Sequence, residues 1–291
     1  MRKGQLTKLW AWSLGIFLCF ASPASAQTVF SPIQQQRLSP QTVLRQLAAA
    51  DVVYLGETHD SPADHRAQLN IIQALHQKKP QLAIALEMFQ RPYQPALDRY
   101  LAGKITEAEL RQQSQFDQRW GYDWEYYAPI LRFAKANRLS VIALNTPTEV
   151  TRKVARQGLG SLTASDRQFI PPASEIRTDN KAYRQRIQKF YTEIHQGHSS
   201  SNNFEQFFQA QVLWDETMAD RIAQFATTYP NHQIVVLAGQ GHIIYGDSIP
   251  SRVARRLKNT PNFVQRLVLL NPEDTKRERR AIADYFWKDE R

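Results

Sequence analysis

The sequence predicts an α/β fold: a mainly parallel sheet with flanking helices and a helical insertion. Three observations predict it. Short apolar runs recur at Val52–Leu55, Leu82–Leu86, Val141–Leu144, Ile234–Ala238 and Phe263–Leu270. The first four are apolar at every position, as strands covered on both faces are. Segments with helical start and stop signals alternate with these runs. Finally, two of the runs end in the same tetrad, Gly56-Glu57-Thr58-His59 and Gly239-Gln240-Gly241-His242, and the run at 82–86 ends in Glu87. Parallel sheets bind ligands beyond the carboxyl ends of their strands. Three polar clusters distant in sequence are therefore expected to converge on one site.

The start of the chain reads as an export signal. Arg2, Lys3 and Lys8 precede 13 mostly apolar residues, Leu9–Ala21, and Ala24-Ser25-Ala26 supplies a small-residue cleavage pattern. The stretch is short of the roughly 20 residues that span a bilayer, although an uncleaved anchor is the alternative. Leu18 stands where a lipid-attachment site would have a small residue before Cys19. Cleavage after Ala26 would leave 265 residues and remove the one cysteine. Any metal would then be held by His, Glu, Asp or Tyr. The formal charge of +10 falls to about +7 with the three basic residues of the leader gone. A mildly basic surface suits anionic partners such as acidic lipid or porphyrin propionates. The basic residues are scattered and no zinc-finger or RNA-recognition pattern is present, so no nucleic-acid partner is expected.

The elements follow in order. Residues 27–38 read as an extended lead-in. Ser39-Pro40 begins a helix through Ala50, with Ser as cap and Pro at the first position. After the strand at 52–55, Ser61-Pro62 opens a second helix, which Lys78-Lys79-Pro80 stops. Residues 92–138 read as helical around the aromatic cluster Trp120–Tyr127. The insertion at about 148–230 reads as wholly helical, with soft points at Gly158–Ser174 and Gly197–Asn203. The main domain is expected to span 39–274. The charged tail, 275–291, is expected to be a surface helix.

Glycine at a strand exit permits close backbone approach, and Glu57 and His59 then project at the sheet edge. That pair can bind a metal or act as acid and base; a hydrogen-bonded turn is the alternative. Glu87 follows five apolar residues and needs a partner if buried, with Arg91 as the local option. Glu57, His59, Glu87 and His242 together make a possible divalent-metal or hydrolytic set. His65 lies on the buried stripe of its helix, either touching the site or satisfied within the core. His76, in the last turn, suits the helix dipole. In the helix near 203–228, Gln211 and Asp215 interrupt an apolar face at i and i+4. Buried polar groups need partners, so Asp215 is expected to orient His59 or His242, or to bond a backbone end. The segment Tyr183–His198 carries Tyr191, His195 and His198 among basic residues. Tyr or His can ligate haem iron; a solvated basic helix is the alternative. No phosphate loop and no Gly-x-Ser-x-Gly is present.

Gly56-Glu57-Thr58-His59-Asp60 with His65, Glu87-Met88-Phe89, Val141–Asn145, Gln209–Ala219 and Gly239–His242 together resemble the ChaN-like proteins over roughly 40–270. That resemblance implies a haem-binding, iron-regulated envelope protein that holds haem between subunits of a homodimer. It also implies kinship with the wider Tiki, TraB and erythromycin-esterase group, which includes metal-dependent peptidases and esterases. On the resemblance, Glu57, His59, Glu87 and His242 would be the shared polar site. His195 and His198, with Tyr191 and His65, would be candidates for holding haem. A periplasmic or lumenal location, or one at a membrane surface, follows as an expectation.

Overall fold

The computed structural model describes residues 27–194, 204–272 and 282–289. The expected leader at 1–26, and His195 and His198, lie outside the described residues. In chain order the elements are β1 (Gln27–Ser31), β2 (Gln36–Leu38), α1 (Pro40–Ala48), β3 (Val52–Glu57), α2 (Pro62–Lys78), β4 (Leu82–Gln90), α3 (Gln94–Leu101), α4 (Glu107–Gln113), α5 (Phe116–Arg119) and α6 (Ala128–Ala136). They continue with β5 (Ser140–Asn145), α7 (Thr148–Gln157), α8 (Lys181–Ile194), α9 (Phe204–Thr228), β6 (Gln233–Gly239), α10 (Ile249–Arg256), β7 (Gln265–Leu270) and β8 (Tyr285–Asp289).

One sheet of eight strands runs β2-β1-β8-β7-β3-β6-β4-β5. The pairings from β8 to β5 are all parallel. β1 joins β8 and β2 antiparallel. β3 is the central strand and is buried at every position, which its continuous apolar run dictates. Its side chains alternate between two cores. Val53 and Leu55 pack with Leu47, Ile71, Ile72 and Leu131 under α1, α2 and α6. Val52 and Tyr54 pack with Met218, Ile222 and Val253 under α9 and α10.

Both serine caps stand where the sequence places them. The Ser39 side chain accepts from the Thr42 amide and Ser61 from the Asp64 amide, each followed by proline. The soft point at 158–174 is three short 3₁₀ turns between α7 and α8. The lead-in is extended, as expected, and forms the β1–β2 hairpin of the same sheet. One expectation is corrected: Tyr285–Asp289 of the tail is strand β8 rather than helix. Tyr285 and Trp287 point into the core while Phe286 faces the other side, a period of two that the charged residues before it obscured. No described helix is long and apolar enough to cross a membrane.

Candidate functional site

β6 enters the sheet between β3 and β4, strands earlier in the chain, so the order of connection reverses there. The carboxyl ends of these three strands carry Glu57, Glu87 and His242. The strands run further than their apolar cores suggest: β3 includes Gly56 and Glu57, and β4 passes through Glu87 to Gln90 with an irregular register after Leu86.

Two imidazoles converge here, each with Nδ1 on a carboxylate. His59 Nδ1 is 2.8 Å from Glu57 Oε1. His242 Nδ1 is 2.6 Å from Asp215 Oδ1. Glu87 lies between them. Its Oε2 accepts from the Gly239 amide at 2.8 Å and its Oε1 is 3.5 Å from His242 Nε2. Gly239 is glycine for a steric reason: a Cβ there would stand 2.8 Å from His59 Nε2. Arg91 does not pair with Glu87. It bonds Asp220 at 2.7 Å and two backbone carbonyls instead. Asp215, one of the alternatives left open by the sequence, orients His242.

Each carboxylate is held in turn. Glu57 Oε1 accepts from the Tyr127 hydroxyl at 2.8 Å, and its Oε2 accepts from the Gln68 amide. Asp215 is fully buried and accepts from Ser248 Oγ at 3.0 Å, with the Arg252 guanidinium 3.9 Å away. Beside it, Glu216 receives Arg255 and Arg256 at 2.7 Å each and fixes α10 to α9. Gln211, the other polar residue on this face, is half-buried.

These surroundings set the charge states. Burial would depress His242, but the charges of Glu87 and Asp215 and the Asp215 hydrogen bond outweigh it and raise the pKa to about 9. Burial would raise Asp215, yet the His242 charge and hydrogen bond, with Arg252 and Tyr183, hold it below its ordinary value. His59 is raised likewise: burial opposes, while the Glu57 hydrogen bond and the charges of Glu87 and Glu57 prevail. The Tyr127 hydroxyl is pushed up by burial and by the adjacent Glu57.

His65 is buried, stacked on Tyr126, with Nδ1 facing Gln68 Oε1 and Nε2 facing the His59 carbonyl. Both nitrogens therefore meet protein oxygens, which makes it a support beneath Glu57 and leaves neither nitrogen free for haem iron. The Tyr191 ring packs on Phe204 and Phe207 where α8 meets α9. His76 packs edge-on against Phe133.

The expected metal set does not form a ligand cage. Among the described residues no group of three His, Cys, Asp or Glu is arranged to hold a metal ion. Of the expected set, Glu57 is turned to His59 Nδ1, and one Glu87 oxygen is turned to the Gly239 amide.

The sequence reading missed Gln68, Tyr127, Trp120 and Tyr122 as parts of this site. Trp120 meets the His59 ring edge-on at 4.8 Å and Tyr122 lies 5.0 Å from it. The aromatic cluster is thus partly a wall of the site and, at Trp124, partly core. One signal for Gln68 was available: it follows His65 by three residues, on the same helix face.

Residues 43–253 match the family described as haem-binding uptake, Tiki superfamily, ChaN. The chain belongs to this family. Its fold is similar to that of a ChaN structure from Campylobacter jejuni described as showing cofacial haem binding, with a TM-score of 0.69 and 18% identity over 90% of this chain and 96% of that one. A mutant of the erythromycin esterase EreC in its open conformation gives a TM-score of 0.48 at 14% identity, over 84% of this chain and 76% of that one. Among curated proteins, RETICULATA-RELATED 5, chloroplastic, from Arabidopsis thaliana is 29% identical over 265 residues, 84% of this chain. The match spans 35% of that protein's length.

Proposed function

We propose that this chain binds haem and serves haem or iron handling after export to a periplasmic or lumenal compartment. Family membership supports the ligand class, and one geometric observation supports the place. Five large apolar side chains are exposed among the described residues, and two of them, Phe190 at 49% and Ile194 at 51%, lie one turn apart on α8. Exposed apolar area on an otherwise polar helix marks a ligand or partner surface. Lys189 is exposed beside it and Arg184 lies over the Phe204 and Phe208 rings. A flat apolar macrocycle with two anionic propionates matches that surface, and a second copy of the chain would cover its other face as a homodimer. Tyr191, His195 and His198 are the candidate axial ligands.

The test is a hemin titration of residues 27–291. The expected result is a saturable Soret shift that weakens in Tyr191→Phe, His195→Ala or His198→Ala. No shift in the unaltered protein refutes haem binding. An unchanged spectrum in the triple variant refutes the ligand assignment.

A second reading, acid–base hydrolysis at the strand ends, is favoured by the two imidazole–carboxylate pairs that flank Glu87. A carboxylate on Nδ1 fixes the tautomer and leaves Nε2 to exchange a proton with substrate or water. The His59 side chain is 24% exposed, which leaves it reachable from solvent. Turnover of an ester or peptide panel that vanishes in Glu57→Gln and Glu87→Gln would establish this reading. No turnover of the panel would count against it.

A further inference from the structure

The loop that carries His242 does not hold itself in place. Residues 240–246 are two 3₁₀ turns, and Tyr245 and Gly246 are consecutive left-handed residues at φ 61° and 67°. A non-glycine residue at positive φ is strained and needs outside support. One support is the Tyr245 amide, which bonds the Ile282 carbonyl at 2.8 Å. Gln240 Nε2 donates to the Leu270 carbonyl at 3.0 Å and Ile243 is buried in the core, and α8 adds a further set of contacts.

Arg186, on α8, reaches three points of this loop. Its Nη1 donates to the Gly241 carbonyl at 3.1 Å, next to His242. Its Nη2 donates to Asp247 Oδ1 at 2.7 Å and to Ser248 Oγ at 3.1 Å. Nε makes a further bond to Asp247 at 3.2 Å. Ser248 then donates to Asp215, which holds His242 Nδ1. One turn earlier on α8, the Tyr183 ring is buried with the Arg186 and Arg252 guanidiniums against it. α8 is also seated on α9 by Tyr183 and Ile187 against Phe208 and Val212, by the Phe190 and Tyr191 rings against Phe204 and Phe207, and by the Arg184–Glu205 ion pair.

We propose that Arg186 is a positioning residue that latches α8 to the His242 loop, so that the seating of α8 and the placement of His242 are one coupled event. The planar guanidinium suits this task because its fork addresses a carboxylate, a hydroxyl and a carbonyl from one fixed frame. The coupling joins the two candidate sites of the molecule. The same helix turns Phe190 and Ile194 outward, so whatever shifts α8 also shifts Asp215 and His242. Linkage then requires the reverse effect of equal size.

Amide hydrogen exchange on the whole mature chain tests this without any ligand. Arg186→Ala should speed exchange in 243–252 by about tenfold or more, the loss of charge-assisted hydrogen bonds, and should speed α8 as well. Asp247→Asn cuts the latch from the opposite side and should loosen α8, although no residue of α8 is altered. Arg186→Lys, which keeps the charge and loses the fork, should restore part of the protection. Peptides from β3 and β4 serve as the reference for global unfolding. The proposal is overturned if α8 loosens in Arg186→Ala while 243–252 stays protected, if Asp247→Asn leaves α8 unchanged, or if β3 accelerates equally. A failed hemin titration would refute the haem reading and leave these outcomes as they stand.

Discussion

Asp215→Asn gives the most informative test of the strand-end electrostatics. Asp215 is fully buried and holds the His242 ring at 2.6 Å. The rise of His242 from its ordinary 6.5 to about 9 corresponds to about 3 kcal/mol of folded-state stability, at roughly 1.4 kcal/mol per tenfold. Glu87 contributes to that rise, so Asp215 supplies a part of it, on the order of 2 kcal/mol. The sign follows from the direction of the shift. A histidine held above its unfolded value adds stability that is fully present below pH 6.5 and is lost as pH rises through about 9. Asparagine keeps the shape and an acceptor oxygen while removing the charge. The stability difference between the unaltered protein and the variant should therefore be largest near pH 6 and shrink by about 2 kcal/mol by pH 10. Asp215 itself stays ionised over this window because its pKa is held low. Urea unfolding at pH 6, 8 and 10, with m-values compared, measures it. A difference that is constant or widens with pH would refute the electrostatic account and reduce Asp215 to a packing role.

Three further outcomes are expected. In Gly239→Ala the new methyl meets His59 Nε2 at 2.8 Å and Cε1 at 2.9 Å; the ring should swing away from Glu57 at a cost of about 1–3 kcal/mol, and unchanged His59 ring resonances would contradict this. Trp287→Ala removes a 1% exposed indole from β8 and should cost about 3–5 kcal/mol in urea unfolding; a loss below about 1 kcal/mol would mean that β8 does not seal the sheet. Gln94 places its side-chain amide against the free edge of β5, donating to the Val141 carbonyl and accepting from the Ala143 amide, both at 2.8 Å. Gln94→Ala should cost about 1–3 kcal/mol and raise light scattering, because an uncovered edge strand templates association; unchanged stability and scattering would refute the capping role.

Local chemistry made much of the fold legible. Continuous apolar runs marked β3, β4, β5 and β6, because strands covered on both faces have no polar side to show. Ser-Pro pairs marked the starts of α1 and α2, because capping is decided within one turn. The alternation of strands and helices placed Glu57, Glu87 and His242 at one end of the sheet before any distance was known. β8 was not legible, since five residues beside a charged segment carry too little pattern, and only pairing with β7 and β1 makes them a strand.

The sequence by itself determined which chemical groups stand at the strand ends, because the sheet direction and the Gly-x-x-His exits are local properties. It left Asp215 with several possible partners and Glu87 with Arg91 as the local one. Tertiary structure alone decided that Asp215 holds His242, that Arg91 turns to Asp220, and that Tyr127 and Gln68 support Glu57. These partners come from helices on opposite faces of the sheet, many residues apart in the chain. A buried hydrogen bond depends on ångström-scale placement of two such elements, and neither composition nor spacing carries that information.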